Sequence, residues 1–217
     1  MTVGRSEARV ACRTMMREER RDIRRLLGEL TPQQWRADSL CVGWSVRDLV
    51  AHLVAWDDVL LYRSGRGHLH ALLRFSVLYG GSLASMRLIN RRLQRRTRRL
   101  DPVALARRFG RDDGEDLKWL FDATNPGAHL AEYVIHQRDI RLPLGMPEPV
   151  SPDRLLAALH GVTQLPGVRA PARWRLCRER LEATNVEWAR GRGRLQRMTG
   201  EAILLTLAGR PVQQASA

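Results

Sequence analysis

The chain has 217 residues, 44% of them hydrophobic, and a formal net charge of +14 carried almost wholly by arginine. That length suffices for one well-buried core with a small appended unit, and the hydrophobic share excludes a chain too polar to fold. Cys12, Cys41 and Cys177 form no C-x-x-C pair, which argues against a disulfide framework or zinc ribbon, and no apolar run approaches the roughly 20 residues of a membrane span. The N-terminus carries no apolar h-region, so a soluble protein of the reducing cytoplasm is expected, with no membrane partner. The positive charge has two readings, attraction to polyanions or acidic ligands and an arginine-rich solvated surface. Acids interleaved in most segments favour the second.

From about Ser6 to Glu29, Val10, Met15, Met16, Ile23, Leu26 and Leu27 recur at helical spacing among charged residues, predicting an amphipathic surface helix. Thr31, Pro32 and Gln34 form a capping box with proline in the first turn, predicting a short helix that contains Trp35. Ala37 to Gly43 reads as a loop. Ser45 and Asp48 then repeat the reciprocal start signal ahead of a second main helix. On it, Leu49, His52, Trp56 and Val59 recur at steps of three and four, so His52 lies in an apolar stripe. A histidine so placed is more often a packed residue than a ligand. Asp48 either orients its ring or simply completes the cap.

Ser64 to His70 is a polar, glycine-containing connection with His68 and His70 facing solvent. A helix is predicted from around Leu72 or Gly81 to Arg99, ending in the acid-free run Asn90 to Arg99. That run suits a solvated helix end, where cations complement the helix dipole; with no aromatics to stack on bases, nucleic acid is not the expected partner. Asp101 and Pro102 start a short helix, Gly110 to Glu115 is a loop, and Trp119 to Phe121 lead onward.

Asn125 followed by Pro126 is a strong helix start. His129, Glu132 and His136, at steps of three and four, then share one face of a helix ending near Pro143 and Gly145. Imidazole and carboxylate are both good donors to zinc, but one helix cannot close a coordination sphere. Ser151 and Pro152 cap a further helix to about Leu165. Alternation in Arg173 to Glu187, with an irregularity near Arg178, reads as a strand, and a second strand is placed around Leu195. Thr199 to Leu207 is a helix stopped by Gly209 and Pro211. The predicted architecture is mainly α: a four-helix bundle over residues 1–148, then a small α+β C-terminal unit over 149–217.

Three pieces in order, CVGWSVRDLVAHL, the E-x-x-x-H of Glu132 and His136 with Asp139 three residues on, and VEWARGRG with TGEAILLTLAGR, resemble the mycothiol-dependent maleylpyruvate isomerase family, within the DinB-like superfamily of metal-binding helical bundles. The resemblance implies a DinB-like four-helix bundle and a divalent metal, Zn2+ in most members. Its ligands carry over to His52, Glu132 and His136. His129 matches no ligand position and becomes a lining residue. The resemblance further implies a small-molecule thiol such as mycothiol as cosubstrate, added to an electrophilic substrate. An open coordination position would suit this, because a metal lowers the pKa of a bound thiol or water. The C-terminal unit is shorter than in fuller members, so maleylpyruvate itself is not carried over and no single arginine is assigned to a ligand. A metal-dependent thiol transferase or isomerase is the leading expectation. The alternative is a non-catalytic metal-containing ligand-binding or regulatory bundle protein, with nucleic-acid binding through Asn90 to Arg99 a distant third.

Overall fold

A computed structural model describes residues 5–60, 99–109, 125–165 and 168–211. The protein is mainly helical with a small three-stranded sheet near the C-terminus. Its contacts divide it into two units, Arg20–Thr124 and Met1–Glu19 with Asn125–Ala217. Among the described residues no helix is long and apolar enough to cross a membrane.

The first helix, α1, spans Arg5–Glu29 as its apolar spacing predicts. In the Arg20–Thr124 unit it buries Ile23, Leu26 and Leu27. The capping box at Thr31 forms in both directions. Gln34 N–H donates to Thr31 Oγ1 at 3.3 Å and Thr31 N–H donates to Gln34 Oε1 at 2.8 Å, starting α2 (Pro32–Arg36) and its buried Trp35. A loop closed by the Asp38–Ser45 bridge follows. Asp48 then accepts from Ser45 N–H at 3.2 Å while Ser45 Oγ accepts from Asp48 N–H, opening α3 (Val46–Leu60). So Asp48 does complete the cap. The short helix α4 (Pro102–Phe109), capped by Asp101 Oδ1 accepting from Ala104 N–H at 2.8 Å, packs on α3. A buried ion pair ties this unit: Arg20 donates to Asp57 at 2.9 and 2.8 Å and to the Phe109 carbonyl at 3.1 Å. The Ser64–His70 connection, the helix expected to Arg99 in all but that last residue, and the Gly110–Phe121 stretch lie outside the described residues, as do the side chains of Trp56 and Val59.

In the other unit α5 (Pro126–Arg141) starts where predicted, with Asn125 Oδ1 accepting from Gly127 N–H at 3.0 Å. Nearly all its residues are buried, so its polar side chains must find partners inside the protein. It packs on α6 (Pro152–Gly161), which runs into a 3-10 turn, Val162–Gln164. Ser151 starts α6 without a side-chain capping bond; Pro152 supplies the start by conformation alone.

One expectation is overturned here. Residues 173–176 are not strand but the end of helix α7, Arg169–Leu176. The alternation of Trp174 and Leu176 is misleading, because the buried pair is Ala172 and Leu176 at i and i+4, while Trp174 is exposed and carries the Arg178 guanidinium 3.9 Å above its ring. The strand begins at the expected irregularity: β1 is Glu179–Ala183. It is the centre of the sheet, paired antiparallel with β2 (Ala189–Gly191) and parallel with β3 (Arg194–Met198) in the register Leu181 to Arg190 and Leu181 to Gln196. Between β2 and β3 the chain crosses the start of β1, and only glycine allows it. Gly191 and Gly193 have φ of 101° and 93°, and a Cβ at either would strike the carbonyl of Glu179 or of Arg178. The last helix, α8 (Gly200–Leu207), is capped by Thr199 and ends at Gly209.

Candidate metal centre

The signature around Trp44 has a physical role within its own unit. The loop between α2 and α3 is pinned by Ser39 N–H donating to the Trp44 carbonyl at 2.9 Å. This holds the Trp44 ring 5.2 Å from that of His52, inclined at 60°, in the tilted packing aromatic rings prefer. His52 is buried on α3, beside Leu49 and Leu53. An aromatic wall on an imidazole limits its rotation and sets the direction in which its nitrogens point.

On α5 the expected pair comes together. His136 Nε2 lies 3.1 Å from Glu132 Oε1, one helical turn apart, and His136 Nδ1 lies 2.9 Å from Asp139 Oδ2. Asp139 is fully buried and is gripped by Arg210, whose Nε and Nη2 donate to its two carboxylate oxygens at 2.9 and 2.8 Å. Arg210 is itself anchored by Nη1 donating to the Ala208 carbonyl at 3.0 Å. Burial pushes the Asp139 carboxyl up, but the hydrogen bonds and charges of His136 and Arg210 outweigh it and hold the group at about 2.

An ionised Asp139 fixes the Nδ1 side of His136. It accepts the Nδ1 proton, so a neutral His136 presents a bare lone pair at Nε2, and that lone pair faces the Glu132 carboxylate. Two acceptors 3.1 Å apart repel unless a cation lies between them, either a second proton on the ring or a metal ion. Nitrogen and oxygen donors on one tetrahedral zinc stand roughly 3.3 Å apart, so the donor set fits such an ion. A carboxylate behind a ligating histidine is also the usual way its tautomer and basicity are set. Glu132 is about one-third exposed, at 35% of its side chain, so it can turn towards an ion without breaking a core contact.

His129, one turn before Glu132, is half-buried; burial lowers its pKa against the opposing pull of Glu132, which keeps the ring neutral. The arginine partner of Asp139 was not singled out in the sequence. Arg210 is 71 residues away, and its sole local mark is its place between Gly209 and Pro211, which read as a helix stop.

Comparisons with curated proteins and with solved structures return no match. A family profile does match, over residues 16–73, described as the mycothiol maleylpyruvate isomerase N-terminal domain. The match takes in the Thr31 box, the Trp44 loop and His52, and stops well before Glu132 and His136. Over residues 16–73 the chain carries the signature of the mycothiol maleylpyruvate isomerase N-terminal domain, the family its motifs resemble.

Proposed function

We propose that the protein is a metal-dependent enzyme that uses a low-molecular-weight thiol such as mycothiol, for S-transfer to a small electrophile or for its isomerisation. His52, Glu132 and His136 are the proposed ligands, zinc the proposed ion and His129 a lining residue. The observation that carries this reading is the geometry around His136: its Nδ1 lies 2.9 Å from a buried, ionised Asp139 and its Nε2 lies 3.1 Å from a second carboxylate, Glu132. A divalent ion bound there would act as a Lewis acid that makes a thiol nucleophilic at neutral pH.

The chain's own residues divide the remaining work. Asp139, held by Arg210, fixes the Nδ1 side of the His136 ring and so its tautomer. Glu132, on the more open side of the helix, offers a carboxylate to the ion or, when displaced, a base for the thiol proton. Trp44 keeps the His52 ring in one orientation. The test is to incubate the metal-loaded protein with mycothiol and monobromobimane and to follow thiol loss. Consumption above the uncatalysed rate, abolished in His136→Ala, supports the reading; consumption equal to background with mycothiol and with other cellular thiols overturns it.

A further inference from the structure

The C-terminal part of the chain holds a cleft that the proposed metal ligands do not use. It measures about 500 Å³ and is lined by Thr163, Gln164, Arg173, Cys177, Arg190 and Arg192. That volume is in the range of small-molecule sites. Its three arginines arrive from two directions. Arg173 comes from α7, while Arg190 and Arg192 flank Gly191, where β2 leaves the sheet. Both of these line the cleft, on either side of the left-handed turn at Gly191. The backbone there cannot shift: Arg192 N–H donates to the Leu176 carbonyl at 2.9 Å, and a Cβ on Gly191 would strike the Glu179 carbonyl.

Among the described residues nothing offsets the charge of this cleft. Glu179 is engaged by Arg175 at 2.9 Å and Glu182 by Arg197 at 3.2 Å. Among the described residues no carboxylate pairs with Arg173, Arg190 or Arg192. Arg190 Nη1 instead donates to Thr163 Oγ1 at 3.1 Å, a neutral and buried acceptor that orients the guanidinium and leaves its charge standing. The same field reaches His160, whose pKa is lowered by burial and then by Arg190. Three like charges gathered on one concavity repel, and a bound anion relieves that repulsion while meeting guanidinium forks that match paired carboxylate or phosphate oxygens.

The geometry points to a small-molecule anion site in this cleft, taking a ligand that presents phosphate or carboxylate oxygens to Arg173, Arg190 and Arg192. Nucleic acid fits less well, because strand binding needs a basic groove with aromatics open for stacking, and the neighbouring Trp174 is covered by Arg178. None of these residues belongs to the proposed ligand set, so this site stands or falls apart from the metal.

Cys177, an exposed thiol on the cleft wall, supplies the readout, with the half-buried Cys12 and Cys41 as internal controls. The full chain is alkylated with iodoacetamide at fixed ionic strength, with increasing inorganic pyrophosphate in one series and succinate in another, and each cysteine is followed by peptide mass spectrometry. A saturable slowing at Cys177 alone is expected, and the anion that saturates at lower concentration identifies the oxyanion. Arg173→Gln and Arg192→Gln, both at exposed positions, should each raise the half-protecting concentration about tenfold, as loss of one charge-assisted contact does. An unchanged Cys177 rate with both anions, equal slowing at all three cysteines, or full protection in both variants overturns the site.

Discussion

Replacing Asp139 with asparagine keeps the side chain's size while removing its charge and one acceptor, so no cavity confuses the result. In the native protein this fully buried carboxylate lies 2.9 Å from His136 Nδ1 and accepts from Arg210 Nε and Nη2 at 2.9 and 2.8 Å. The amide offers one acceptor oxygen where the carboxylate offers two, and it brings its own donors against Arg210. Removing one partner of a buried ion pair costs about 3–5 kcal/mol. The Arg210 side chain is 19% exposed and can turn part of its guanidinium to water, which places the expected loss near the lower end, about 3 kcal/mol. For a chain of this length that lowers Tm by roughly 6–12 °C, read by calorimetry on the metal-free protein. The second readout is zinc affinity by competition with a chromophoric chelator. Disturbing the carboxylate behind a ligating histidine weakens binding by roughly 10–100-fold. A variant that melts within about 2 °C of the wild type and binds zinc as tightly would refute the role given to Asp139.

Two further substitutions test the packing that holds each unit. Asp57→Asn breaks the doubly hydrogen-bonded pair with Arg20, in which both side chains are 7% exposed, and should cost about 3–5 kcal/mol in urea unfolding; a loss under about 1 kcal/mol contradicts the pairing. Gly161→Ala aims a methyl group from α6 directly at the Gly127 carbonyl of α5, so the two helices must part. A loss of about 1–3 kcal/mol is expected, and an unchanged Tm would show that they are not in such close contact.

What could be read in the sequence was local. The starts at Thr31, Ser45, Asp101, Asn125 and Thr199 are written in residues that bond to backbone within three positions, and all five helices begin there. The stop at Gly209 was equally legible. Residues 173–176 misled because two alternating apolar residues fit a strand as well as a helix, and the deciding burial of Ala172 with Leu176 depends on what packs against them. The three-residue β2 has no pattern of its own and exists because the Gly191–Gly193 crossover lays it beside β1. Glu132 and His136 were visible as a pair, since a helix fixes their spacing. The grip of Arg210 on Asp139 was not, because it joins side chains 71 residues apart and depends on where α8 ends.

Whether one divalent ion is held by His52, Glu132 and His136, as proposed, is read straight from metal stoichiometry. Purified wild type, stripped with chelator and reloaded with zinc, should retain close to one equivalent after desalting. His52→Ala and His136→Ala, verified as folded by circular dichroism, should each lose it. No retained metal in the wild type, or full retention with wild-type affinity in a folded His52→Ala protein, would rule this ligand set out.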